Sequence, residues 1–141
     1  MAASPVYGKQ FIRFAETGVT EDATALKQFT LVKTAAAATE PPTIELLAAG
    51  GEAFGVLQQD IPAVDEERAV TLPRLGTVAT SGLLLVEADG ANLQTQGDAL
   101  KADAQGRSSS AGGAVTVAGT TPIVRQQVVV GGTNMVLVSF N

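Results

Sequence analysis

The chain contains neither histidine nor cysteine. It therefore lacks the commonest general base, the thiolate nucleophile and the soft metal ligands, so any catalysis would rest on carboxylates, lysine, serine, threonine or tyrosine. Carboxylates stand in pairs at Asp60 with Asp65 and at Glu87 with Asp89. Two such groups can flank a glycosidic bond, but these segments carry none of the aromatic rings that a sugar platform uses. Asp65, Glu66 and Glu67 offer hard oxygen ligands, yet a calcium site draws six or more oxygens from a shaped loop, and no EF-hand spacing is present. A solvated charge run accounts for them. The glycine-rich stretch 50–55 and the pair Gly112-Gly113 lack the Gly-Lys-Ser/Thr ending of a phosphate loop and read as turns. Ser108, Ser109 and Ser110 have no companion base and read as part of a mobile loop reaching Gly113. The expectation is a protein that is not an enzyme and takes no metal or cofactor.

Charge and composition narrow the partners. The net charge is −5, and the 9 basic residues are scattered between Lys9 and Arg125. A phosphate backbone requires the opposite field, so no nucleic-acid partner is predicted. No apolar run approaches the roughly 18 residues that suggest a membrane span, and Met-Ala-Ala-Ser-Pro lacks the features of a signal peptide. Synthesis in the cytoplasm and no membrane partner are expected. Without cysteine there is no disulfide, and stability must come from packing or oligomerisation.

The length of 141 residues fits one compact domain, and its 15 glycines suit short strands joined by tight turns. With 5 Phe, 1 Tyr and no Trp, the interior must be thin. Residues 1–42 differ in character from the remainder of the chain. Thr20, Glu21 and Asp22 resemble a helix N-terminus, the stretch 35–38 is all alanine, and Pro41-Pro42 cannot continue a helix. The reading is an N-terminal arm over 1–42, extended or partly helical, and a mainly β body over 43–141 built as a small barrel or sandwich. Phe11, Ile12, Arg13 and Phe14 are the candidate interface, because apolar residues ahead of the body need a burial site on their own domain or on a neighbour.

Within the body, short apolar runs alternate with turn signals. Phe54-Gly-Val-Leu is one run, and 68–78 is another with Pro73 at an edge or bulge. The run 83–87, bracketed by Gly82 and Gly90, reads as a separate strand. Residues 97–107 predict a strand entering a tight turn at 103–106. The C-terminal segments 126–130 and 135–140 predict a hairpin closed by the four residues 131–134, with both faces apolar and the hairpin central.

The order of these segments resembles the capsid cement, or head decoration, proteins of tailed bacteriophages, across roughly Gly51 to Asn141. The motifs are Ala53-Phe-Gly-Val-Leu, then Ala69-Val-Thr-Leu-Pro-Arg-Leu-Gly-Thr-Val, then Gly97-Asp-Ala-Leu-Lys-Ala-Asp-Ala-Gln-Gly-Arg, then a valine-rich hairpin ending Val136-Leu-Val-Ser-Phe-Asn. The N-terminal region and the loop 108–121 depart from that pattern. The resemblance implies a structural virion protein on the outer capsid surface, often a trimer, whose partner is the major capsid protein. Other oligomeric phage components (tail tube, neck or fibre) and a carbohydrate-binding or adhesin-like β module are the alternatives.

Overall fold

The computed structural model describes residues 10–20, 25–35, 40–62 and 74–141. Their regular structure is entirely β: ten strands, β1 (Phe11–Thr20), β2 (Leu31–Thr34), β3 (Ile44–Leu46), β4 (Gly51–Glu52), β5 (Gly55–Leu57), β6 (Arg74–Glu87), β7 (Lys101–Ala102), β8 (Gly113–Thr116), β9 (Ile123–Val130) and β10 (Thr133–Phe140). A large sheet runs β3-β2-β5-β6-β10-β9, with β1 also paired to β6, and a small sheet runs β4-β8-β7. The mainly β expectation holds.

β6 organises the large sheet. Val78 pairs with both Glu16 and Leu57, and Leu83 pairs with both Phe11 and Ser139. A strand residue has one neighbour on each edge. β1 therefore lines one edge of β6, while β5 and then β10 share the other, and the sheet divides near Thr80 and Ser81. The backbone of Phe29 links the separated parts, donating its N–H to Leu57 O at 2.7 Å and accepting from Glu87 N at 2.8 Å.

Both faces of the central strands are buried, which explains their unbroken apolar runs. Leu31, Val56 and Ala79 join Leu84, Val86, Val136, Val138 and Phe140 in the cluster between the two sheets, where Ala102 and Val115 of the small sheet complete it. The alternate residues Val32, Leu57 and Val78 fill a second cluster with Leu26, Ile44 and Ile61. Leu85, Met135, Leu137 and Val128 form a third. Phe140 is the one aromatic member of the first, so that core is built almost wholly of aliphatic side chains.

Several expectations change. Residues 10–20 and 25–35 share the sheet of the later strands: β1 and β2 pair within it, and Leu31 and Val32 are fully buried. Pro41-Pro42 marks the connection between paired strands β2 and β3, because prolines interrupt a ladder without separating two cores. The helix start at Thr20 is replaced by the end of β1, with Leu26 bridged to Ile61; residues 21–24 lie outside the description. Gly82 is interior to β6 and ends nothing. Its φ is +125°, and a Cβ there would lie 2.0 Å from the Phe11 carbonyl oxygen, so glycine lets β1 approach a bulged strand. The pair Gly50-Gly51 turns directly into β4, which pairs in parallel with β8. The predicted strand 68–78 lies outside the description up to residue 73 and continues as β6.

The C-terminal hairpin is present with a tighter turn. Thr133 pairs with Val130, leaving Gly131 and Gly132 as a two-residue loop with φ of 57° and 81°, the double left-handed geometry of a type I′ turn. Only β10 is buried on both faces; β9 ends the sheet path, and Val129 is exposed.

Candidate assembly surface

The candidate interface residues all fall on β1, where seven consecutive residues, 11–17, are exposed. Ordinary half-buried strands alternate, so exposure on both faces means that this part of β1 is an edge ribbon left uncovered by the packed layers, laid along a β6 whose Val78 and Ala79 stay buried. Phe11 is 69% and Phe14 62% exposed, with Ile12 between them. Leu83 lies opposite Phe11 and is also exposed, which extends the apolar surface onto β6. Arg13 sits in a bulge of the β1 register, with its guanidinium 5.8 Å from the centre of the Phe14 ring. A cation over an exposed aromatic face is held by about 0.5–1 kcal/mol, enough to bias this rotamer.

The ribbon is tied at its root. Gln10 Oε1 accepts from the Leu85 backbone N–H at 3.0 Å, continuing the β1 edge by one side-chain bond. Its Nε2 donates to Gln58 Oε1 at 2.7 Å. Beyond this anchor, a groove of about 620 Å³ opens between the ribbon and the small sheet, lined by Arg13, Phe14, Phe54, Ser81, Glu52 and Asn141 among others. Glu52 accepts from the Thr116 hydroxyl and the Ala118 N–H. The Thr116 hydroxyl leads in holding its carboxyl below the usual range.

Two of the paired carboxylates make contacts within the fold. Asp60 accepts from the Gln28 N–H at 2.8 Å, and Glu87 is paired with Lys27 at 3.0 Å. The run 65–67 lies outside the described residues. Among the described residues no cluster of three or more acidic side chains is placed to hold a metal.

The loop read as mobile begins in a buried polar knot, while Ser110 and Ala111 are exposed. Ser108 and Ser109 are almost fully buried. Ser108 Oγ donates to Gln94 Oε1 at 2.9 Å, and Ser109 Oγ donates to Asp89 Oδ2 at 3.2 Å. Gln94, also buried, accepts from the Lys101 N–H at 3.0 Å and donates to the Ala99 carbonyl at 2.7 Å. Asp89 accepts from the Asn92 amide and the Ala91 N–H, with Arg107 at 4.0 Å. Asn92 is the leading cause that lowers its pKa, followed by Ala91. Asp103 accepts from the N–H groups of Gln105 and Arg107, both at 2.9 Å, and pairs with the Arg107 side chain at 2.8 Å. Ser108 and Ser109 thus donate to an amide and to a carboxylate 14 and 20 residues away, partners that a Ser-Gly run could not reveal.

A scan against protein-family models finds no match, and a search of curated proteins finds none with significant similarity.

Proposed function

We propose that this protein is a capsid decoration protein of a tailed bacteriophage, which binds the outer surface of the head and bridges neighbouring major capsid subunits. The observation that carries the adhesive role is the edge strand β1, which with Leu83 of β6 presents Phe11, Ile12 and Phe14 to solvent as one apolar surface. Each large apolar side chain that a partner covers contributes about 1.5–3 kcal/mol. The groove beside Phe14 gives a partner's side chains a recess to enter. Contacts repeated over a lattice add avidity without requiring one strong site. The family resemblance supplies the identity of the partner. The described parts of its segments fall on β5, the start of β6, the turn 103–106 and the β9–β10 hairpin, the framework beside β1. The acidic net charge suits an exterior protein that never meets the packaged genome.

Co-sedimentation with expanded capsids of the source phage tests this reading, using the full chain and a Phe11→Ser/Phe14→Ser variant. The expected result is saturable binding at a fixed ratio to the capsid protein, weakened at least tenfold in the variant. Absence of binding by the full chain would overturn the decoration role in favour of a tail-tube, neck or fibre component.

A further inference from the structure

The groove beside Phe14 is the open end of a barrel. β1 pairs with β6, β6 with β5, β5 with β2 and β2 with β3, and the parallel bridge between Val19 and Thr43 leads back to β1. These strands enclose the cluster of Val32, Ile44, Leu57 and Val78. Gly18 brings β1 onto it so closely that a Cβ there would lie 2.6 Å from the Ile44 side chain. Among the described residues, 11–17 meet no other backbone on the edge that Val19 uses, so the interior stays open toward Phe14. Side chains two apart on a strand share a face, as do cross-strand partners. Glu16, two residues from Gly18 and paired with Val78, therefore stands where the apolar interior ends, and so does Thr34, paired with Ile44. Both line the groove, together with Phe54, which packs on the same cluster.

This mouth has apolar walls and two acidic points. Phe14, Phe54, Ala53 and Val117 form the walls, and Glu16 and Glu52 are the acids. Glu16 makes no hydrogen bond or ion pair with the described residues. Glu52 accepts from the Thr116 hydroxyl and the Ala118 N–H, which orient it without filling the roughly four acceptor positions of a carboxylate. An apolar recess edged by carboxylates matches an aliphatic stem with a cationic head, the form of a lysine or arginine side chain. Arg13 illustrates the fit from within the chain: its guanidinium lies 5.8 Å from the centre of the Phe14 ring and is paired with no carboxylate. An acidic side chain would meet like charge here, and a purely apolar one would cover Glu16 without pairing it.

We propose that the mouth of the barrel receives a lysine or arginine side chain of the capsid partner, its stem along Phe14 and Phe54 and its head at Glu16 and Glu52. The inference rests on the decoration reading and adds the chemistry of the contact to it. The exposed side chains of 11–14 supply apolar area, and the mouth selects a basic residue. Charges at such a rim govern association rate and choice of partner more than total affinity.

Co-sedimentation with expanded capsids at low and high salt tests it, with the variants E16Q, E16K and R13E beside wild type. Glu16 and Arg13 are exposed, so these changes leave the core untouched. At low salt E16K is expected to bind about tenfold more weakly than wild type, with E16Q between them. High salt should narrow the difference, because it screens exposed charges. R13E makes the rim more acidic and is expected to bind at least as tightly as wild type, a gain that damage to the strand could not produce. An E16K variant that binds like wild type, or an R13E variant weakened as far as E16K, would overturn this inference and leave the decoration role standing. Absence of binding by wild type would overturn both.

Discussion

The β1–β6 ribbon and the loop 88–112 invert the usual partition in opposite directions. The ribbon holds Phe11, Ile12 and Phe14 in solvent, while the loop buries Gln94, Ser108 and Ser109. Neither is a packing fault. The loop tolerates burial because its polar atoms find partners, and an unmet donor there would cost about 1–3 kcal/mol. The ribbon tolerates exposure because it forgoes only the gain that burial would bring, and that gain remains for a partner. One region satisfies its polar groups internally and is held rigid by them, and the other leaves its apolar groups uncovered.

Unsaturating the loop should erase this contrast most strongly. Gln94→Leu fills a similar volume but leaves the Lys101 N–H, the Ala99 carbonyl and the Ser108 hydroxyl without their partner. The expected loss is about 3 kcal/mol in urea unfolding. A loss below about 0.5 kcal/mol would mean that water or a rearranged loop replaces the amide at little cost, and that the knot is not a rigid element.

Acid acts on the same region through Asp89. Its folded carboxyl lies below the ordinary value of 3.8, chiefly because the Asn92 amide and the Ala91 N–H donate to the charged form. A carboxylate with a depressed folded pKa contributes stability that is fully present above its unfolded value and is lost as pH falls through the folded one. Asp89→Asn should therefore be less stable than wild type at neutral pH, and the gap should close as pH falls below about 4. Thermal unfolding of the two proteins across that window measures it, and a gap independent of pH would remove Asp89 from the acid response.

How much could be read from the sequence depends on how local each cause is. The turn 103–106 was legible because Asp103 and Gly106 act within four residues of each other. The hairpin was legible because its glycines sit between its own two strands, although they close a shorter loop than four residues. The choice of 11–14 as a surface came from apolar residues placed ahead of the presumed body. The pairing of β2 was not legible, because its partners lie beyond the two prolines and only the folded sheet joins them. Leu83 was missed as part of that surface, since an apolar residue in an apolar run has no local mark of exposure. Gln94 was missed for the converse reason: between Leu93 and Thr95 nothing announces that its amide will be enclosed.

The substitution with least consequence for stability is the most informative about the ribbon. In the Phe11→Ser/Phe14→Ser variant, each removed ring is largely in water already, and the cation contact with Arg13 is itself exposed. Unfolding free energy should therefore change by less than about 0.5 kcal/mol per site. The ladder between β1 and β6 uses backbone groups that serine also supplies, and the Gln10 anchor at its root is untouched. Equilibrium urea unfolding of the variant beside wild type makes the measurement. A loss above about 2 kcal/mol would show that the rings pack on the domain in solution, since that is the scale of a buried aromatic side chain. Near-zero change in stability, together with weakened capsid binding, would place the whole contribution of these side chains in a contact with another molecule.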